Sequence, residues 1–166
     1  MLSADPRRQF ERLLLRTGEM NYIWTNTESL LIHLIAGLAG VDKETAVVIF
    51  LTLNTTRARI DLVERLAKMD RRGAEERDEV LSRSRALSRL SGIRNHFNHC
   101  IYSFDPESGN AHTILMRISD RKTGLKMGRT DPVDDAELAR IEGASAELVA
   151  LNRDLWGLIR ARGYPA

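Results

Sequence analysis

The chain has 166 residues, 43% of them hydrophobic and 29% charged, with a formal net charge of +2. That balance excludes disordered, collagen-like and disulfide-scaffold classes, and at roughly 100–200 residues per domain the length predicts one domain spanning 1–166. The total charge gives no reason to expect a polyanion partner, and the single cysteine excludes an internal disulfide.

The opening "MLSADPRRQF" lacks the apolar core of a secretory signal. The longest apolar run, "LLIHLIAGLAGV", is short for a bilayer span and contains His33. No membrane segment and a cytoplasmic location are expected. A first long helix starts near Asp5 and Pro6. Its apolar stripe runs through Leu13, Thr17, Met20, Trp24, Leu31, Leu34 and Leu38 to a stop at Gly40. Asp42 caps a second helix, with a stripe of Ala46, Ile49, Leu53, Ile60, Val63 and Ala67, until Gly73. A third begins in the acidic run "AEERDEV", where carboxylates favour the positive end of the helix dipole, and continues through Leu87, Leu90, Ile93, Phe97 and Ile101.

"DPESGN" is turn chemistry, after which the period shortens. "HTILMRIS" and "GLKMGRT" read as two strands joined by "DRKTG", a β-hairpin over about 111–130. Asp134 caps a last helix with the stripe Leu138, Ile141, Leu148, Leu151, Leu155 and Leu158. The expected fold is all-α: a four-helix up-down bundle with a small β-hairpin inserted between the third and fourth helices.

Chemistry concentrates in "GIRNHFNHCIYSF". Arg94, Asn95, Asn98 and His99 form a polar wedge at the rim of the third helix's stripe, beside Leu90, Ile93 and Phe97. From Val80 to Phe104 there is no acid, while Arg83, Arg85, Arg89, Arg94 and two histidines fall inside. Half-buried groups of this kind need partners, since an unsatisfied buried polar group costs about 1–3 kcal/mol. A ligand, or the same wedge on a second copy of the chain, would supply them. Arg89, Arg117 and Lys126 are candidate RNA-binding residues, provided the acid-poor hairpin folds back toward the wedge. The basic segments have no interleaved aromatics to stack bases, so they give no support for sequence-specific readout.

The run Arg94-Asn95-His96-Phe97-Asn98-His99 resembles the signature of HEPN domains: an arginine, a polar residue, and a histidine after a short interval. The resemblance covers these six residues and the helical layout. It implies a helical bundle that dimerises so that two motifs meet in one cleft, and a metal-independent ribonuclease, in this family often a toxin or defence effector with an antitoxin. On that basis Arg94 and His99 are the catalytic pair, Asn95 is the motif's polar residue, Asn98 supports them, and no cofactor is needed. In many relatives the motif lies in or near the last helix, whereas here a hairpin and a further helix follow.

The residue types suit that chemistry independently. Imidazole exchanges protons near neutral pH, and guanidinium grips a phosphate through two hydrogen bonds. Bland readings compete with this one: Arg94 paired with an acid, His99 capping its helix, Cys100 as a small core residue, and Trp24 with Glu28 and Arg57 with Arg59 as core and interhelical pairs. His96, His99 and Cys100 lack the second cysteine that would complete a usual zinc tetrad. Thr25, Asn26 and Thr27 are unusual on a core face and are candidates to line the same cleft. The alternative function is a non-catalytic helical module that binds a protein or a nucleotide.

Overall fold

The computed structural model describes residues 6–104, 110–115, 118–121, 123–128 and 130–166. The protein is mostly helical, with a small antiparallel sheet of three strands. Six helices occur among the described residues: α1 (Pro6–Glu28), α2 (Leu31–Ala39), α3 (Lys43–Thr52), α4 (Thr56–Ala67), α5 (Ala74–His99) and α6 (Asp135–Ala161). The first two expected helices are each broken once. In the first, the Thr27 hydroxyl bonds the Ile23 carbonyl at 2.8 Å and the Ser29 hydroxyl the Asn26 carbonyl at 2.9 Å. Such side chains compete with the helical ladder. Just there the backbone tightens, with Leu30 N–H donating to Thr27 O at 3.1 Å.

In the second, the cause is a cap. Thr55 has an extended backbone, and its hydroxyl accepts the Ala58 N–H at 3.1 Å, so it begins a new helix. The expected caps elsewhere are present. Asp42 accepts the Thr45 N–H at 2.7 Å, Asp134 accepts the Glu137 N–H at 2.9 Å, and Gly40 ends α2 in the left-handed region at φ 73°.

The third expected helix ends two residues early, because the chain leaves α5 at His99 and enters β1 (Cys100–Phe104) directly. Two side chains satisfy carbonyls of the last helical turn. The Tyr102 hydroxyl donates to Phe97 O at 2.8 Å, and the Cys100 thiol to His96 O at 2.7 Å. Ile101, expected on the helix, is instead a half-exposed strand residue. The remaining strands are β2 (Ala111–Leu115), β3 (Ile118–Arg121), β4 (Gly124–Met127) and β5 (Thr130–Pro132). The sheet order is β1-β2-β5, with Tyr102 opposite Thr113 and His112 opposite Pro132. β3 and β4 pair separately, closing at Arg121 opposite Gly124. The expected hairpin is therefore two paired segments, and β1 is an addition to it. Most of the "DPESGN" turn, residues 105–109, lies outside the described residues, as does Asp5.

The described chain divides into two compact units, neither contiguous in sequence. The first takes in the described residues of 6–21 and 93–145, and the second is 22–92 with 146–166. In the first, Leu13, Met20, Phe97, Thr113, Leu138 and Ile141 are buried, and the Phe10 ring meets Tyr102 edge-on at 5.9 Å. In the second, the buried residues include Trp24, Leu31, Leu34, Ile35, Phe50, Val63, Leu87, Leu148 and Leu155. There Arg71 and Arg72 reach the last carbonyls of α2, with Arg72 donating to Gly37 O at 2.9 Å and Arg71 to Leu38 O at 3.0 Å. A cation is favoured at that negative helix end. Among the described residues, no helix is long and apolar enough to cross a membrane.

Candidate functional site

The Arg94 side chain is half-buried and lies against α1 within the first unit. Its Nε donates to Asn21 Oδ1 at 3.1 Å and its Nη1 to Asn95 Oδ1 at 3.1 Å. Asn21 is itself held by α1, donating to Thr17 O at 3.0 Å. The Asn21 and Asn98 amides face each other through two contacts of 2.8 Å. Asn98 also sits beside the guanidinium. With its amide turned over, its oxygen accepts from Arg94 Nε at 2.8 Å and Nη2 at 3.2 Å. Which orientation holds is decided by the network, because amide oxygen and nitrogen are near-equivalent in shape. Either way Asn21, from outside the motif, helps orient Arg94. Three of the four wedge residues thus come together: Arg94, Asn95 and Asn98.

His99 is the last residue of α5 and is exposed. Five helical steps from Arg94 correspond to about 140° of rotation and about 7.5 Å of rise, so the two side chains leave one helix in different directions. His96, by contrast, is mostly covered. Its Nε2 lies 3.2 Å from Glu137 Oε1, with the two side chains 12% and 13% exposed. The approach is close but lacks hydrogen-bond alignment, so it is a contact and not a directed bond. Glu137 also meets Arg140 at 3.3 Å, and Phe97 packs edge-on against the His96 ring. His96 therefore fastens the end of α5 to the start of α6. The Cys100 thiol, half-buried and bonded to the His96 carbonyl, has its pKa raised by burial. That favours the protonated thiol and not a nucleophile.

Leu90 and Phe97, which the sequence offers as an apolar face beside the wedge, are each about 1% exposed. They belong to the chain's own core. Arg89 forms an exposed ion pair with Glu147, a kind of contact worth little and readily exchanged. Lys126 falls on β4, opposite Ser119. Arg117 lies outside the described residues. Among the described residues no group of three or more His, Cys, Asp or Glu is placed to hold a metal.

In the second unit, Trp24 Nε1 donates to Glu28 at 3.1 Å. The same carboxylate accepts from the Thr56 hydroxyl at 2.6 Å and from Arg59 at 3.1 Å. This is a buried tie between α1 and α4, as the bland reading holds. Arg57 instead pairs within α4 with Asp61 at 3.1 Å. Of the unusual polar run in α1, Thr27 is fully buried and accepts from Asn152 at 3.2 Å, while Asn26 lines a cavity of this unit.

Asn21 is the residue that reading the sequence misses. Its signal is faint: Thr17 and Asn21, four apart, put two polar groups among Leu13, Met20 and Trp24. No protein-family model, curated protein or solved structure matches the chain.

Proposed function

We propose that the protein is a metal-independent endoribonuclease of the HEPN type, acting as a homodimer in the cytoplasm. In this reading its helices form a four-helix up-down bundle in which α1–α2 and α3–α4 each count as one broken helix. The observation that carries the proposal is the pairing of an arginine held by amide oxygens with an exposed histidine at the end of the same helix. Amide acceptors orient a guanidinium and, being neutral, add no negative charge of their own. A phosphate, rich in acceptors, complements a group that only donates.

The reaction is transesterification. The ribose 2′-oxygen attacks the adjacent phosphorus, the bond from phosphorus to the 5′-oxygen breaks, and a 2′,3′-cyclic phosphate and a 5′-hydroxyl result. One His99 takes the 2′ proton, and His99 of the second copy returns a proton to the leaving oxygen. Arg94 stabilises the charge that grows on the phosphoryl oxygens. Leu14, Leu15 and Ile101 of the first unit, 47%, 60% and 50% exposed, offer apolar surface to a second copy. A role as a toxin or defence effector under an antitoxin fits the same chemistry. Val48 and Leu51 on α3, 61% and 66% exposed, favour a second reading, a non-catalytic module that binds a protein or nucleotide.

The test is cleavage of single-stranded RNA in excess EDTA by protein that light scattering finds dimeric. Arg94→Ala and His99→Ala should each abolish cleavage while the protein stays folded, and His96→Ala should retain it. Activity surviving in both single variants, or absent on varied RNAs, removes the ribonuclease and leaves the binding module.

A further inference from the structure

Beyond the arginine–histidine motif, the second unit contains a cavity of about 210 Å³ lined by Tyr22, Ile23, Asn26, Val149, Asn152 and Arg153. Its composition is selective. Tyr22 is 72% exposed, an aromatic ring left in water on a helix whose other large aromatic there, Trp24, is 1% exposed. Ile23 and Val149 give the lining an apolar part. Asn152 is fixed from behind: its Nδ2 donates to the Thr27 hydroxyl oxygen at 3.2 Å, and that hydroxyl donates to Ile23 O at 2.8 Å. With one amide hydrogen committed, Asn152 keeps its carbonyl oxygen and a second donor for a ligand's edge, and Asn26 brings an exposed amide with both capacities. Arg153 is exposed and supplies the cation, while Asp154, next along α6, is turned about 100° away.

Together these groups describe the ligand. It has a flat face for the ring, a hydrogen-bonding edge for two amides, and an anion for Arg153. The space is below the roughly 300–1,000 Å³ of sites for drug-sized molecules, which suits a single nucleobase. We infer that this cavity is a base-binding subsite for single-stranded RNA. Tyr22 stacks on one nucleobase, Asn26 and Asn152 bond its edge, and Arg153 holds its phosphate. The choice of an RNA strand as the source of the base rests on the ribonuclease reading; the chemistry of the cavity does not. The bond to buried Thr27 makes the Asn152 amide a fixed recognition group and not a mobile surface one.

The experiment measures fluorescence anisotropy with a labelled single-stranded oligonucleotide bearing 2′-O-methyl riboses, which cannot be cleaved, and with an abasic strand of equal length. Tyr22→Ala should weaken binding of the first by roughly 5- to 100-fold, the range expected for one lost base–aromatic stack. Tyr22→Trp should retain binding. The abasic strand should bind the wild type about as weakly as the intact strand binds Tyr22→Ala. Arg153→Gln should lower the slope of log affinity against log salt by about 0.7, the single-strand value for one phosphate contact. Far-UV circular dichroism checks that each variant is folded. Equal binding of intact and abasic strands, or Tyr22→Ala binding like the wild type, overturns the subsite. So does a free mononucleotide binding as tightly as the strand. Failure of the ribonuclease reading is separable: strand binding that depends on Tyr22, with no cleavage of ordinary RNA, removes the nuclease and keeps the subsite.

Discussion

Gly37→Ala should destabilise the protein even though alanine is the better helix former. Gly37 lies inside α2, where the change by itself gains about 1 kcal/mol. A methyl group there, however, would stand 2.2 Å from two ring carbons of Tyr164 and 2.7 Å from a third. Ordinary carbon contacts are about 3.5–4.0 Å, so the ring must retreat by more than about 1 Å. It has little room to do so. Tyr164 is 8% exposed, its hydroxyl is bonded to Glu76, and the Gly37 carbonyl accepts from Arg72 at 2.9 Å. Complete undocking would forfeit about 150–250 Å² of burial, about 4–6 kcal/mol at 25 cal/mol per Å². A partial shift falls in the range of about 1–3 kcal/mol for overfilled interiors. Setting the helical gain against a loss between those limits leaves a net cost of about 2 kcal/mol, or about 4–8 °C in melting temperature for a chain of this size. Thermal and urea unfolding followed by circular dichroism measure it. Gly157→Ala is the control: it lies in α6 with nothing within 4 Å of the added carbon, and it should stabilise by about 0.5–1 kcal/mol. In a Tyr164→Ala background Gly37→Ala should become stabilising. A Gly37→Ala protein as stable as the wild type, or a cost unchanged without the tyrosine ring, would refute the steric argument.

Asn21→Asp should lower the melting temperature, because a carboxylate cannot donate to Thr17 O and Asn98 Oδ1 as the amide does, and should lower RNA cleavage at least tenfold because its charge competes with the phosphate for Arg94; activity that rises or holds would refute a positioning role for the neutral amide. Burial pushes the Tyr102 hydroxyl up to about 12 from its ordinary 10, so both folded and unfolded chains keep the proton below pH 10. Between about pH 10 and 12 only the unfolded chain ionises, and stability should fall across that window. Denaturant midpoints against pH check this, and Tyr102→Phe should remove the tyrosine's part of the decline.

Helix positions were legible where a cap or a stripe announced them. Asp42, Gly40 and Asp134 act through local geometry that the residue itself dictates, and buried Leu138, Ile141, Leu148 and Leu155 follow the helical period. The breaks were not legible, because an apolar stripe tolerates one. "LNTT" keeps the period of the second helix nearly in phase, and only the Thr55 cap bond shows that a new helix begins. The end of α5 was misplaced for a related reason. Ile101 continues the apolar spacing of the helix, but "CIYSF" also alternates like a strand, and pairing with β2 decides the conflict. Pairing is tertiary information. The motif residues could be named from the chain, since they are adjacent in sequence. Asn21 could not, because its bond to Arg94 spans 73 residues and nothing in α1 marks which polar residue makes it.

The geometry of α5 also constrains how the proposed chemistry can be assembled. Arg94 leans toward α1 through Asn21, whereas His99 emerges exposed where the helix gives way to β1. With about 140° between them, one helix does not aim both groups at one phosphorus. The reaction moves two protons, one off the nucleophile and one onto the leaving oxygen, and His96 is mostly covered, beside Glu137. In the proposed dimer the second exposed imidazole is His99 of another copy of the chain. In the proposed mechanism dimerisation is therefore part of the catalytic arrangement and not an accessory to it. Since Leu90 and Phe97 are already spent on the chain's own core, the surface that joins two copies has to be found among side chains still in water, such as Leu14, Leu15 and Ile101. A closed two-fold arrangement would present each of these residues to its own symmetry environment and bring the two His99 side chains into one cleft.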